Sequence, residues 1–198
     1  KYAQFADMGG CLDVSNAQAE EFGLSLLGDA LNERKSQHVL VGGDETWTLG
    51  RGKSLMRSGR YEGPQLYIEY YRKVVRLAKE KGKVPILWGD MATGVYLPAD
   101  EKNRWKDVIK SDLWDEVLIA NWDYSPSSVD HFRQSIESVG HKGSQIACPG
   151  LANWRKFYPD FDTALTNVRN FLHAAREEGL KAYAVTAWGD DGEECLFS

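Results

Sequence analysis

Two neighbouring carboxylic acids, Asp44 and Glu45, follow a pair of glycines at the end of the apolar run Val39 to Val41. The run predicts a buried strand. Adjacent side chains inside a strand point to opposite faces, but a glycine turn at its end allows both carboxyls to face one ligand. Two carboxyls held close disfavour double ionisation, so one tends to keep its proton. A protonated carboxyl beside an ionised one is what cleavage of a glycosidic bond requires.

The same four residues have two other interpretations. An acidic pair after a strand is often a turn that caps a helix, and the tetrapeptide alone leaves that interpretation open. Gly-Gly-Asp-Glu also occurs in diguanylate cyclases, where a Phe follows it in a hairpin. Here Thr46 follows, and the flanking residues do not resemble that family.

Composition narrows the class of protein. The 198 residues suit one sizeable core. A net charge of -5 without a basic stripe argues against nucleic acid as a partner. No apolar run approaches the roughly 20 residues of a membrane span, and no signal peptide is recognisable. Cys11, Cys148 and Cys195 lie far apart without metal-ligand spacing, which favours small buried or half-buried residues over a disulfide framework, and a reducing compartment such as the cytoplasm.

Strand-like and helix-like patterns alternate along the chain. The predicted strands are the short apolar runs Val39 to Val41, Pro85 to Trp88, Val117 to Ala120, Ile146 to Ala147 and Ala182 to Ala187. Apolar stripes at helical spacing predict helices around residues 67–78 and 164–175, with Gly82 and Gly179 near their ends and Asp162 as a cap. Further helices are predicted at 17–31, 106–113 and 127–139.

This alternation predicts parallel strands joined by crossover helices, as in a doubly wound sheet or a (β/α)8 barrel. A dinucleotide-binding sheet requires a glycine-rich phosphate turn. Gly50-Arg51-Gly52-Lys53 lacks that spacing and is interpreted as a loop with a basic rim.

Indole rings and acids recur where the predicted strands end, which is where a barrel places its active site. The chain has seven Trp and nine Tyr, and four of the Trp lie at or beyond strand ends: Trp88, Trp122, Trp154 and Trp188. A ring face stacks on the C–H face of a sugar while carboxylates accept hydrogen bonds from its hydroxyls. A single Trp in such a place often only fills the space between strands and helices. That structural role does not explain why acidic residues accompany these tryptophans.

At this point the chain resembles a known family. Gly-Gly-Asp-Glu, Trp-Gly-Asp-Met at 88–91, Asn-Trp-Asp-Tyr at 121–124 and the segment 186–193 are similar, in this order, to the β-N-acetylhexosaminidases of glycoside hydrolase family 20. The resemblance runs from about Phe5 to the end. It implies an α/β fold of the (β/α)8 TIM-barrel type, in a single domain over residues 1–198. Five strands are predicted, so only about strands 4–8 of the barrel are expected in this chain.

The resemblance also implies roles for individual residues. In that family the 2-acetamido group of the substrate is the nucleophile. Asp44 would orient it, Glu45 would be the general acid and base, and Tyr124 would donate to the acetamido carbonyl. The remaining expected sugar-binding residues are Trp88, Trp122, Trp154, Trp188 and Asp190, with Asp191 and Glu193 as alternatives to Asp190.

No metal and no cofactor are expected, and the expected partner is a glycan or glycoside that contains N-acetylhexosamine. A missing N-terminal half-barrel or a second copy would cover the open sheet edges of a partial barrel. The alternative function is that of an inactive barrel fragment or a degenerate carbohydrate-binding module.

Overall fold

The computed structural model describes residues 2–190, in which helices alternate with short strands. The chain divides between Leu118 and Ile119 into two compact units. The prediction of one domain stays a prediction.

The first unit contains two strands among its helices. Its elements are α1 (Ala17–Glu33), β1 (His38–Leu40), α2 (Lys53–Ser58), α3 (Gly63–Glu80), β2 (Val84–Trp88), α4 (Asp90–Thr93), α5 (Ala99–Arg104) and α6 (Lys106–Ile109), with 3-10 turns at Ala3–Phe5 and Asp112–Glu116. β1 pairs parallel with β2, with His38 opposite Val84. Leu31 of α1, Val39 of β1 and Ala78 of α3 pack in one core cluster.

Up to residue 190, the second unit contains three strands. Its elements are β3 (Leu118–Trp122), which begins at the boundary, α7 (Val129–Val139), a 3-10 turn at Lys142–Ser144, β4 (Gln145–Cys148), α8 (Phe161–Glu177) and β5 (Ala182–Tyr183). β4 pairs parallel with both β3 and β5. Phe132 of α7 and Phe171 of α8 stack at 4.6 Å between ring centroids in a core that also contains Ala147 of β4.

Both units therefore consist of parallel strands joined through helices, which is consistent with a partial TIM-barrel-like α/β fold. The sequence located all five strands and the long helices. Gly82 and Gly179 follow α3 and α8 with φ of 69° and 76°, the left-handed conformation typical of a residue just after a helix.

Several details differ from the sequence prediction. In place of the helix predicted at 106–113, the structure has the short helix α6 and a separate 3-10 turn at Asp112–Glu116. Asp160, not Asp162, caps α8, because Asp160 immediately precedes the helix and its Oδ1 accepts the Thr163 N–H at 3.1 Å. β5 ends at Tyr183, although one more bridge joins Gly150 and Thr186. The loop with a basic rim ends at Gly52, since α2 begins at Lys53.

Within residues 2–190, no helix combines the length and the apolar character needed to cross a membrane. Cys11 is half-buried and Cys148 is buried, both as thiols, as the sequence predicted. Cys195 lies outside the described residues.

Candidate functional site

The chain after β1 turns through the two glycines and leaves both acids exposed. Gly42 and Gly43 have φ of 83° and 98°, and Glu45 itself has φ of 47°. The left-handed conformation costs a residue other than glycine about 1–2 kcal/mol. The predicted glycine turn is present, and Glu45 also has a strained backbone that its surroundings must hold.

Gly43 could not be replaced by a larger residue without disturbing the turn. A Cβ atom there would lie 3.0 Å from both the Tyr67 hydroxyl and Leu87 Cδ2. The Tyr67 hydroxyl donates to the Gly43 carbonyl oxygen at 3.0 Å. Burial raises the pKa of Tyr67 well above its ordinary value, and the neighbouring acidic groups of Tyr71 and Asp90 raise it further. The phenol therefore keeps the proton that it donates to the turn.

Asp90 provides a second support for the turn. It is the first residue of α4, is 3% exposed, and its Oδ2 accepts the Glu45 N–H at 2.9 Å. A hydrogen bond to a charged group is worth about 1.5–3 kcal/mol, which is comparable to the backbone cost at Glu45. Trp88, two residues earlier at the end of β2, is only 6% exposed, so its ring is mostly packed inside the protein.

Both acids line one cavity of about 380 Å³. This volume lies within the range of small-molecule sites, about 300–1,000 Å³. Besides the acids, its wall includes Cys11, Thr46, Tyr70 and Tyr71. Burial, followed by the neighbouring acidic groups of Tyr70 and Asp44, raises the pKa of Tyr71, so its phenol is neutral.

The N-terminal segment that forms part of this wall is held by two buried carboxylates. Asp7 accepts hydrogen bonds from Gly50 N–H, Ser54 N–H and Ser54 O–H at 2.7–2.8 Å. Asp13, fully buried, accepts from the Arg57 guanidinium at 2.6 Å. Burial alone would raise the pKa of Asp13, but the hydrogen bonds from Arg57 and Ser15 outweigh it and lower that pKa.

In the second unit, four of the predicted site residues form an aromatic cluster, which consists of Trp122, Tyr124, Trp154 and Trp188. The Tyr124 ring lies 5.1 Å from the Trp122 ring and 4.9 Å from the Trp154 ring, measured between centroids. Trp188 Nε1–H donates to the Tyr124 hydroxyl oxygen at 3.1 Å. All four residues are half-buried. Tyr124 therefore connects the other three residues of the cluster.

The close packing of these rings depends on Gly150. A Cβ atom there would lie 2.7 Å from Tyr124 Cδ1 and 3.1 Å from the outer edge of the Trp154 ring. Asn153 fixes the backbone of Trp188 from both sides, because its Nδ2 donates to the Trp188 carbonyl at 2.9 Å and its Oδ1 accepts the Trp188 N–H at 3.2 Å.

Asn167 of α8 fixes the backbone around Tyr124. Its fully buried amide accepts the Gly150 N–H at 2.9 Å and donates to the carbonyls of Asp123 and Ser125, both at 2.8 Å. These two carbonyls belong to the residues on either side of Tyr124. One side chain thus holds both the tyrosine segment and the glycine beneath its ring.

The acids near the tryptophans differ in their surroundings. Asp123 uses Oδ1 to accept from Ser125 and Oδ2 to bind His131 Nε2 at 2.6 Å, so it orders its own loop. Asp190 is exposed, two residues after Trp188. Its alternatives, Asp191 and Glu193, lie outside the described residues.

The described part of the chain offers no group of three or more His, Cys, Asp or Glu side chains that could hold a metal ion. The buried thiol of Cys148 is also a poor nucleophile, since burial raises its pKa to about 12.

Sequence reasoning missed the residues that hold the site in place, namely Asp7, Asp90, Asn153 and Asn167. One signal for Asn167 existed. It lies at the helical spacing of Ala164 and Phe171, so a polar residue interrupts the apolar stripe of α8. The position of Asp90 in the sequence does not tell whether it binds the backbone of Glu45 or a sugar.

Solved structures similar to this chain include two β-N-acetylhexosaminidases. A β-N-acetylhexosaminidase from Bacteroides fragilis NCTC 9343 matches 91% of this chain and 36% of its own, at 17% identity and a TM-score of 0.54. The GH20 β-N-acetylhexosaminidase from Streptomyces coelicolor A3(2) matches 70% of this chain and 22% of its own, at 14% identity and a TM-score of 0.44. The first match shows a shared fold. No protein-family model and no curated protein matches the sequence.

The structural relationship to β-N-acetylhexosaminidases is therefore distant, and the chain spans about a third or less of the two solved proteins. It agrees with the resemblance found in the sequence motifs at the level of the fold.

Proposed function

We propose that this chain is part of a glycoside hydrolase that removes terminal N-acetylhexosamine from β-linked glycosides by substrate-assisted, retaining catalysis. The observation that carries the proposal is that Asp44 and Glu45 leave β1 through a glycine turn and line the same cavity. The shared fold with a β-N-acetylhexosaminidase supports it.

In this mechanism the 2-acetamido oxygen attacks the anomeric carbon as the glycosidic C–O bond breaks. Glu45 gives its proton to the leaving oxygen, and the sugar becomes an oxazolinium ion. Asp44 accepts a hydrogen bond from the acetamido N–H, which orients the nucleophile and stabilises the developing positive charge. Water then attacks the anomeric carbon, Glu45 takes a proton from that water, and the acetamido group is restored with the original β configuration.

The aromatic cluster has the chemistry to hold the sugar. The Tyr124 hydroxyl donates to the acetamido carbonyl, and the Trp188 N–H keeps that hydroxyl oriented. Trp122 and Trp154 enclose the methyl group and ring, Trp188 stacks on the sugar face, and Asp190 accepts from outer hydroxyls. Trp88, which is mostly packed inside the protein, contributes only the edge that remains accessible.

In the same proposal, β1 to β5 correspond to about strands 4–8 of a (β/α)8 barrel. The chain spans only 36% of the solved protein that shares its fold. In this proposal, either a longer gene product supplies the remaining strands, or a second copy of the chain covers the open edges of the sheet.

The test compares two aryl β-glycosides that differ only at C2, an N-acetylglucosaminide and a glucoside. Both the 198-residue chain and any longer gene product that contains it are assayed. The proposal predicts release of the aryl alcohol from the N-acetylglucosaminide alone, and a strong reduction in Asp44→Asn. Equal hydrolysis of both substrates would contradict substrate assistance.

The aromatic cluster is complete within the second unit, which favours a carbohydrate-binding module as the second candidate. Binding of N-acetylglucosamine without turnover by either form would support that candidate instead.

A further inference from the structure

Glu45 adopts a backbone conformation that its own side chain does not favour. Its φ of 47° lies in the left-handed region, which residues other than glycine seldom occupy unless the surrounding structure holds them there. The residue is exposed and follows two glycines, so packing of its side chain contributes little to holding it.

The contact that holds this residue directly comes from the end of the neighbouring strand. Asp90, 3% exposed, accepts the Glu45 N–H on Oδ2 at 2.9 Å. The two residues are 45 positions apart in the chain, but the parallel pairing of β1 with β2 brings the ends of their strands together. A carboxylate with little access to water is a strong acceptor, because few water molecules compete for it.

We infer that Asp90 is a positioning residue for the general acid: its carboxylate fixes the Glu45 backbone and thereby the place from which Glu45 delivers its proton. This inference rests on the proposed function. It gives the end of β2 a role in proton transfer, and this role does not require Asp90 to contact the sugar.

Loss of this positioning contact should affect one step, the protonation of the leaving group by Glu45. A general acid matters most when the leaving group is a poor one, so a misplaced Glu45 slows alkyl or oligosaccharide substrates more than activated aryl glycosides. A displacement of about 1 Å can cost about 10²-fold in rate. Simple loss of stability lowers the amount of active protein and reduces both rates by the same factor.

The test uses the active form of the protein with Asp90→Ala, Asp90→Asn and the reference Glu45→Gln. Asp13→Ala is the matched control. It also removes a buried carboxylate of the first unit, but Asp13 pairs with Arg57 and not with the turn of residues 42–45, the acid turn. Asp90→Ala is expected to fold, since water can reach the exposed Glu45 residue and replace the lost acceptor.

The expected result is a loss of about 10²-fold in kcat/KM on a poor leaving group in Asp90→Ala, with a much smaller loss on an activated aryl glycoside. Asp90→Asn, which keeps an acceptor oxygen, should recover most of the difference. Asp13→Ala should lower both rates equally. If Asp90→Ala shows the same equal loss as Asp13→Ala while Glu45→Gln depends on the leaving group, the inference is wrong and the proposed function stands.

If Glu45→Gln itself shows no dependence on the leaving group, the proposed function fails. Hydrogen exchange of the Glu45 amide, followed by NMR, then still tests the positioning contact. Exchange should be faster in Asp90→Ala than in the wild type and unchanged in Asp13→Ala; unchanged exchange in Asp90→Ala overturns the inference.

Discussion

The two units bury different kinds of polar side chain around their candidate site residues. Among the described residues, the first unit buries the carboxylates Asp7, Asp13 and Asp90, whereas the second buries amides, namely Asn121, Gln145, Asn153 and Asn167. Asp7 and Asp90 bind backbone groups of the loop that follows β1, and Asn153 and Asn167 bind backbone groups of loops that follow strands. Asp13 binds the side chain of Arg57. In the first unit these contacts are made by carboxylates, beside the neutral Tyr67 hydroxyl, whereas the aromatic cluster is supported by the neutral hydrogen bonds of amides.

This difference has a physical consequence. A buried carboxylate holds backbone N–H groups strongly while it is ionised, but it becomes a weaker acceptor when it is protonated. A buried amide does not titrate, and it can hold N–H and carbonyl groups at the same time, as Asn167 does. We therefore expect the contact of Asp13 with Arg57 to weaken in acid and the aromatic cluster to keep its arrangement.

The largest expected effect comes from the acid turn itself. Glu45→Gln removes the transferable proton and keeps the size of the side chain, so kcat/KM on glycosides with poor leaving groups should fall by about 10²–10⁴-fold. Activated aryl glycosides need little acid assistance and should lose much less. Steady-state rates on a series of leaving groups measure this, and an equal loss across the series would remove Glu45 from the acid role.

The next effect tests the aromatic cluster. Asn167→Leu leaves the Gly150 N–H and the carbonyls of Asp123 and Ser125 without their partner, so stability should fall by about 2–4 kcal/mol. Asn170→Leu on the same helix is the control, since Asn170 donates one hydrogen bond, to the Ser127 carbonyl at 2.8 Å. Urea unfolding at pH 7 and at pH 4 should give the same loss for Asn167→Leu, because no charge is involved.

A smaller loss of stability, which unlike that of Asn167→Leu depends on pH, is expected when Asp13 is replaced. Its pKa is lowered in the folded protein, so its contribution is present above the pKa of an unfolded Asp, about 4, and is lost as the pH falls through the lowered folded value. Asp13→Asn should therefore cost about 1–3 kcal/mol near pH 7 and progressively less in acid.

The exposed Asp29 of α1 provides the matched control, and Asp29→Asn should change stability little at any pH. A loss in Asp13→Asn that stays constant down to pH 2 would show that the carboxylate's charge is not what holds the N-terminal segment, and the comparison between the two units would fail.

The sequence was sufficient for the elements and for part of the site. The short apolar runs located the strands, and the glycine pair predicted the turn before Asp44, because these signals are local. The four rings of the aromatic cluster were also singled out together. Their contacts required the fold, since Tyr124 and Trp188 are 64 positions apart.

The supporting residues could not be predicted in the same way. Asp90 has the residue type and position expected of a sugar ligand, and only coordinates show its Oδ2 on the Glu45 N–H. The cap of α8 was assigned two residues too late, because Asp160 and Asp162 are both acceptable caps and the start of the helix decides between them. Trp88 follows the pattern of the other tryptophans, yet it is mostly buried.

The central claim is that Asp44 and Glu45 act on a sugar whose own acetamido group is the nucleophile. Isothermal titration of the active protein with a sugar-fused thiazoline, a stable analogue of the oxazolinium ion, tests this most directly. Binding at least about 10²-fold tighter than N-acetylglucosamine, and clearly weaker in Asp44→Asn, is the result expected for an analogue of the reactive species. Binding no tighter than N-acetylglucosamine, or unaffected by Asp44→Asn, would contradict the account.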